Sequence, residues 1–262
     1  MQFDQYFLYF VLYAMIGYIC ELVYCGILDG RLTNRGFLFG PYLPIYGFGA
    51  LLVVVPLMSF DAHPIAVFAM AFLLTSALEY VTSFLLEKIF QTKLWDYSKR
   101  FANINGRVCL LNSILFGLLG LAATYLLHPA ITTMVSRIPA YVLDPLSNAL
   151  LILLSIDTTS SVYRMSSFQR QLTEFRIRVR ELEERIDLLA KQRATPSLVS
   201  LGERLDRELD ELKTKVTKRL KWIYSAFPSV TGNNEEQRLQ LELLKMNFRS
   251  YREKKKEQRK KR

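Results

Sequence analysis

The chain has 262 residues, 51% of them hydrophobic, and a formal net charge of +10. That charge is confined to one part of it. Residues 1–163 hold 8 Lys+Arg and 9 Asp+Glu, while 164–262 hold 26 and 15. The overall hydrophobic content would suit one large or two small soluble domains, but it averages two unlike parts, and the charge asymmetry points to an acidic partner for the second, either an anionic membrane surface or a nucleic acid.

The first part is organised by apolar runs. A bilayer core of about 30 Å needs roughly 20 apolar residues as helix. Runs of that kind lie at about 6–28, 44–60, 64–87, 108–127 and 139–161. The second is short, and the fifth is interrupted by Asp144, Pro145 and Asp157. No basic leader region or Ala-x-Ala site precedes the first run, so it is expected to be retained. Cys20, Cys25 and Cys109 lie in or beside apolar runs and form no CxxC motif. They are expected to be small buried side chains.

Orientation follows from the loops. Loop one carries Arg31 and Arg35, and loop three carries Lys88, Lys93, Lys99, Arg100 and Arg107. Loop two, Asp61-Ala62-His63, has no Lys or Arg, and loop four has only Arg137. The positive-inside rule places loops one and three and the C-terminal region in the cytoplasm, with the N-terminus outside.

Loop one holds an unusual stretch. Asn34–Gly49 contains Gly36, Gly40, Pro41, Pro44, Gly47 and Gly49. Glycine costs about 1 kcal/mol and proline about 3 in a helix interior. Non-helical backbone near a bilayer is tolerated only where protein or a watery cavity covers it. The stretch is therefore either a tight buried turn or the lining of a site.

Charged side chains within the runs point the same way, since each costs about 2.5 to 3.5 kcal/mol on insertion scales. Glu21, Glu79 and Asp157 all fall in the half of the membrane nearest loops one and three. Two readings stand: ion pairs that lock the helices together, or a polar cavity open to the cytoplasm. The candidate site is Glu21, Arg35, Glu79, Asp96, Asn105 and Arg107. Arg35 and Arg107 are placed to pair with the acidic residues, and Asp96 and Arg107 are also placed to bridge within loop three. Two units share a plan: a helix bearing Glu21 or Glu79, a loop with Asn34-Arg35-Gly36 or Asn105-Gly106-Arg107, then a second helix. Trp95 and Tyr97 suit the interfacial belt. His63 and His128 are expected on outer loops. There is no HExxH, GxSxG or GxxxxGK[ST] motif, so no enzymatic activity and no cofactor is expected.

Beyond Met165, Phe168, Leu172, Phe175, Val179, Leu182, Ile186 and Leu189 form a heptad seam. After Thr195-Pro196-Ser197, an amphipathic run from Leu198 to Leu220 follows. The pair either folds back as a hairpin or joins a second copy or a helical partner through 165–222. A break at Ser225–Asn234 precedes a weaker helical run and a basic tail, suited to anionic lipid or nucleic acid. The fold expected is all-α: a transmembrane domain at 1–163 with about five helices, then a cytoplasmic coiled-coil-like helical region at 164–262.

The motifs Asn34-Arg35-Gly36-Phe37-Leu38-Phe39-Gly40-Pro41, Pro44-Ile45-Tyr46-Gly47, Leu94-Trp95-Asp96-Tyr97-Ser98 and Asn105-Gly106-Arg107 together resemble the ABC-transporter type IV membrane family of bacteria, over roughly residues 5–160. The resemblance implies a permease-like subunit in the cell membrane, working with a separate ATPase. It supplies no catalytic residues.

Overall fold

The computed structural model describes residues 2–29, 36–57, 63–190, 196–219 and 221–233, and most of 235–248. The fold is all-α and polytopic. Its elements are α1 (Gln2–Asp29), α2 (Pro44–Leu57), α3 (Pro64–Phe90), α4 (Leu110–Ala122), α5 (His128–Ser136), α6 (Ala140–Ala190), α7 (Pro196–Arg219) and α8 (Lys221–Ala226). Four two-residue strands accompany them: β1 (Thr92–Lys93), β2 (Asn103–Ile104), β3 (Val108–Cys109) and β4 (Thr231–Gly232).

Among the described residues, four helical stretches are long and apolar enough to cross a membrane: α1, α3, the continuous Leu110–Ser136, and α6. The helix α2 has 14 residues, or about 21 Å, and so falls short of the hydrocarbon thickness. The reason lies in loop one. The Leu43 N–H donates to the carbonyl of Ala14, 2.9 Å away and halfway along α1. The chain thus returns roughly 20 Å into the bundle before α2 begins. At that depth, a Cβ on Gly17 would strike the Tyr46 ring, and one on Gly47 would lie 2.7 Å from the Phe10 carbonyl oxygen. Helices in lipid pack through such small residues because no hydrophobic force draws them together.

The α3–α4 hairpin repeats the plan. Ser76 donates to Ser113 at 2.7 Å, and a Cβ on Gly120 would strike Ala71. This register puts the start of α4 beside Glu79, roughly 16 Å below the end of α3. Each hairpin therefore pairs a long helix with a second one that begins at depth, after an irregular connection.

Between α4 and α5 one turn widens to a π segment at Ala123–Leu127. Pro129 has no N–H to give, and the wider turn lets the helix continue past it to Ser136. His128 is consequently not on an outer loop, as expected from the sequence, but buried. Its Nδ1 lies 3.1 Å from the Tyr13 hydroxyl, and Tyr9 packs edge-on against its ring. His63, by contrast, is exposed and caps α3, accepting from Ile65 N–H at 3.4 Å.

The helix α6 runs unbroken for 51 residues, through Pro145 and onward past the apolar stretch. Phe168, Leu172, Phe175 and Leu182 of the heptad seam are buried, and Val179 and Ile186 half-buried. Within the chain, α7 folds back along α6 as a hairpin. One hydrophobic cluster joins this region to both irregular loops. Met165, Phe168 and Leu172 meet Ile223, Tyr224 and Phe227, with Phe37, Phe90, Leu94 and Trp95 packed among them. Strand β4 pairs antiparallel with β1, Thr92 opposite Gly232. The chain after α8 thus adds a strand to loop three.

Glycine positions give a direct check on the hairpin contacts. Gly47→Ala should lower the thermal unfolding midpoint in detergent, because backbone at Phe10 cannot yield; overpacking of this kind costs about 1–3 kcal/mol. Gly202→Ala, in α7 with nothing within 4 Å of its added methyl, should leave the midpoint unchanged or raise it, since alanine is favoured in helices by about 1 kcal/mol.

Candidate functional site

The two irregular loops each deliver a tyrosine to a glutamate, half-buried Glu21 in one case and buried Glu79 in the other. Tyr46, in the first turn of α2, donates its hydroxyl to Glu21 Oε2 at 2.9 Å. Cys25, one turn beyond Glu21 on α1, donates to Oε1 at 3.1 Å. Tyr97 of loop three donates to Glu79 Oε1 at 3.3 Å. Glu79 is 5% exposed, and its Oε2 has no hydrogen-bond partner among the described residues. The Asn112 amide of α4 faces the same carboxyl, and Glu21 and Glu79 are near enough to interact electrostatically. Burial and the Glu79 charge hold the Tyr97 phenol well above its ordinary range. It remains a protonated donor across physiological pH.

Loop three is built to hold that phenol in place. Asn105 and Gly106 both have positive φ, 53° and 70°, at the centre of the turn between β2 and β3. The Arg107 N–H closes the turn on the Ile104 carbonyl at 3.0 Å. Asparagine and glycine are the residues that tolerate this backbone. The Tyr97 N–H then donates to the Gly106 carbonyl at 2.7 Å, and Asp96 accepts from both the N–H and the hydroxyl of Ser98. A Cβ at Gly106 would strike Asp96. The Trp95 indole donates to the Arg107 carbonyl at 3.1 Å.

The sequence candidates separate into groups. Glu21 and Glu79 share the inner polar layer. Asn105 and Arg107 lie beside it and meet at the Tyr80 hydroxyl, 2.9 Å from Asn105 Nδ2 and 3.3 Å from the guanidinium. Asp96 serves the loop itself. The Arg107–Asp96 bridge is not formed: Arg107 pairs with Glu87 at 2.7 Å and stacks over Tyr80 and Phe84. The turn geometry sends the Arg107 side chain toward α3, while Asp96 is occupied by Ser98. Arg35 lies outside the described residues.

Tyr46 and Tyr97 stand inside the loop motifs, yet nothing in their spacing from Glu21 and Glu79 identified them as partners. Asp157 is a further polar residue whose role is tertiary. It accepts from the Phe39 N–H (2.9 Å), the Gly40 N–H (2.8 Å), the Tyr42 hydroxyl (2.5 Å) and the Ser161 hydroxyl (3.2 Å). This one carboxylate on α6 ties down Phe39, Gly40 and Tyr42 of loop one. Burial and the Asp157 charge push the Tyr42 phenol upward, so it too stays protonated.

Beside Tyr46 and Glu79, among α1 to α4, lies a cavity of about 90 Å³. Its walls are mainly apolar: Ile16, Ala50, Val53, Leu78 and Phe116 contribute, while Tyr46, Thr75 and Glu79 supply polar atoms. The π segment touches it through Ala123 and Leu127. Such a volume holds several waters or a small solute group.

The Asp157 clamp is open to measurement. Asp157→Asn keeps the shape but replaces a charged acceptor by a neutral amide, and hydrogen bonds to charged groups contribute about 1.5–3 kcal/mol. Hydrogen exchange at the Phe39 and Gly40 amides should accelerate by roughly 10- to 100-fold, with α3 and α4 unaffected. Unchanged exchange would show that loop one is held by something else.

Comparison with known proteins bears on the same part of the chain. No curated protein and no solved structure matches it. A family model described as "Putative ABC-transporter type IV" matches residues 8–162, which contain the two loops, the cavity and Asp157. That stretch is more than half of the chain, so the protein belongs to this ABC-transporter type IV family and is a multi-pass membrane protein related to transport.

Proposed function

We propose that the protein is a non-enzymatic, permease-like component of a transport system in the cell membrane. Its solute site is the cavity capped by Tyr46 and Tyr97. The carrying observation is Glu79, a buried carboxylate with an unpartnered oxygen at an apolar cavity. An ionisable residue at membrane depth is kept where it meets an ion, a proton or a substrate. Two nearby carboxylates and an apolar wall suit a small cation, or the ammonium end of a solute with an apolar body. Family membership supports the transport reading. Since the chain has no GxxxxGK[ST] loop, ATP hydrolysis in such a system falls to a separate subunit.

In this reading loops one and three and the residues after α6 face the cytoplasm. The charge of the loops supports that orientation, as does the cluster that gathers both loops with the C-terminal region at one end. Glu21 and Glu79 then lie beneath a cytoplasmic two-loop cap.

A second reading has a specific observation behind it. The grip of β4 and α8 on loop three suits an interaction protein. In it, the coiled-coil-like hairpin engages a partner or a second copy, and the basic tail rests on anionic lipid or nucleic acid. Shortening the chain by residues 250–262 tests the tail alone, because it leaves the residues of that cluster in place. Binding to anionic vesicles should weaken, each basic residue contributing about 1 kcal/mol near such a surface, while the thermal midpoint stays put. Unaltered vesicle binding would remove the tail from the reading.

The transport reading is tested by counterflow in liposomes containing the purified protein. A panel of labelled small amines is compared with neutral and carboxylate analogues of the same size. At least one amine should exchange, and Glu79→Gln should reduce its rate at least about tenfold by removing the charge that meets it. Tyr97→Phe should have a smaller effect in the same direction. A folded wild-type protein that neither binds nor moves any member of the panel would defeat the cation assignment.

A further inference from the structure

A second site lies about 10 Å along α6 from Asp157, where the apolar stretch of the helix gives way to hydroxyl-bearing residues. Ser160, Tyr163, Arg164 and Ser167 occupy one face of α6 at helical spacing. Opposite them stand Phe39 of loop one and Trp222 of α8, and together they line a groove of about 620 Å³. The guanidinium of Arg164 lies over both rings, 4.6 Å from the Phe39 centroid and 3.8 Å from that of Trp222.

Both are cation–π contacts, made with the ring faces of Phe39 and Trp222. Among the described residues, no carboxylate, carbonyl or hydroxyl accepts a hydrogen bond from Arg164. The nearest acid along the helix, Asp157, is fully engaged by loop one. Two aromatic contacts restrict the side chain and hold its fork in the groove. A planar fork matches the paired oxygens of a phosphate, for which arginine is the favoured residue. Ser160 is exposed at the rim, and Tyr163 is 75% exposed beside it.

The groove also has the character of a membrane boundary. Ile152, Leu153 and Ile156 are exposed apolar residues of the turns just before it, and Tyr and Trp rings of the kind found at headgroup level surround it. Acyl chains running along that exposed face of α6 would bring a headgroup to Arg164.

We propose that this groove binds the phosphate of an anionic membrane phospholipid. Arg164 holds the phosphate, Ser160 and Ser167 contribute hydroxyls, and Phe39 and Trp222 keep the guanidinium in position. Bound in this way, the lipid spans α6, loop one and α8, and so rests on the element that Asp157 fixes. The site is separate from the cavity among α1–α4 and does not depend on what that cavity carries.

The test uses the full-length protein in detergent, titrated with dioctanoyl phosphatidylglycerol at roughly 0.5 M salt to screen attraction to the basic tail. Binding is read from Trp222 fluorescence, with Trp222→Phe as the blank, and from retained lipid in native mass spectrometry. Saturable binding is expected, with none for dioctanoylglycerol, which lacks the phosphate. Arg164→Gln should weaken it roughly 10- to 100-fold. Ser160→Asp sets a like charge at the exposed rim without disturbing packing; it should weaken binding too, and carries the test if the arginine variant does not fold. Equal affinity for dioctanoylglycerol, or unchanged affinity in a folded Arg164→Gln or in Ser160→Asp, overturns the proposal. Inorganic phosphate that competes at the same concentrations as the lipid would reassign the groove to a soluble phosphate compound and overturn the lipid assignment.

Discussion

Backbone that leaves the helix inside an apolar bundle must find hydrogen-bond partners within the protein, because lipid offers none. Residues 36–43 meet part of that requirement through one side chain and one carbonyl of α1. Asp157 takes the Phe39 and Gly40 amides and the Tyr42 hydroxyl, and the Ala14 carbonyl takes the Leu43 amide. With loop one fixed at depth, α2 begins halfway along α1, and Tyr46 arrives level with Glu21. Without those acceptors an extended helix would be the cheaper conformation, and the tyrosine would have no defined position. The short second helix and the capped cavity thus both follow from a carboxylate on a helix more than a hundred residues away.

Loop three solves the same problem with local means. Its turn residues, Asn105 and Gly106, supply the left-handed backbone, and Asp96 and Trp95 complete the hydrogen bonding from within the loop. The outcome is the same, a tyrosine hydroxyl delivered to a glutamate. The two hairpins agree in plan but not in the residues that secure it. Their common feature is the depth at which the second helix starts, and that depth leaves room for a cavity.

Much of this was legible in the sequence and some was not, for identifiable reasons. Apolar runs long enough for a bilayer and the breakers at 36–49 are local signals, and they correspond to the membrane-length helices and the irregular loop one; Glu21 and Glu79 stand out in the same local way, as charges within apolar runs. The hydrophobic seam from Phe168 was likewise visible as periodicity, and the hairpin was one of its two expected outcomes. His128 misled because His128-Pro129 reads as a helix end, whereas a π turn absorbs the proline. The pairings of Asp157 with loop one, Arg107 with Glu87 and β1 with β4 join segments that no local pattern relates. Partner choice of that kind is set by how helices stack, which periodicity does not specify.

The connection between loop three and the chain after α8 has a mechanical consequence. Strand β1 is followed directly by Leu94, which is packed in the same cluster as Phe168, Ile223 and Phe227. Three residues further on, Tyr97 donates to Glu79. A displacement of the α6–α7 hairpin or of β4 would therefore be passed to the cap through a short, hydrogen-bonded length of backbone with little slack. Loop one is tied to the same cluster through Phe37 and to α6 through Asp157. Both tyrosines thus answer to one packed body. Anything that binds the residues after α6 can bias the cavity only by shifting that body between two arrangements that it contacts differently, and the cap would move as a unit, not one loop at a time.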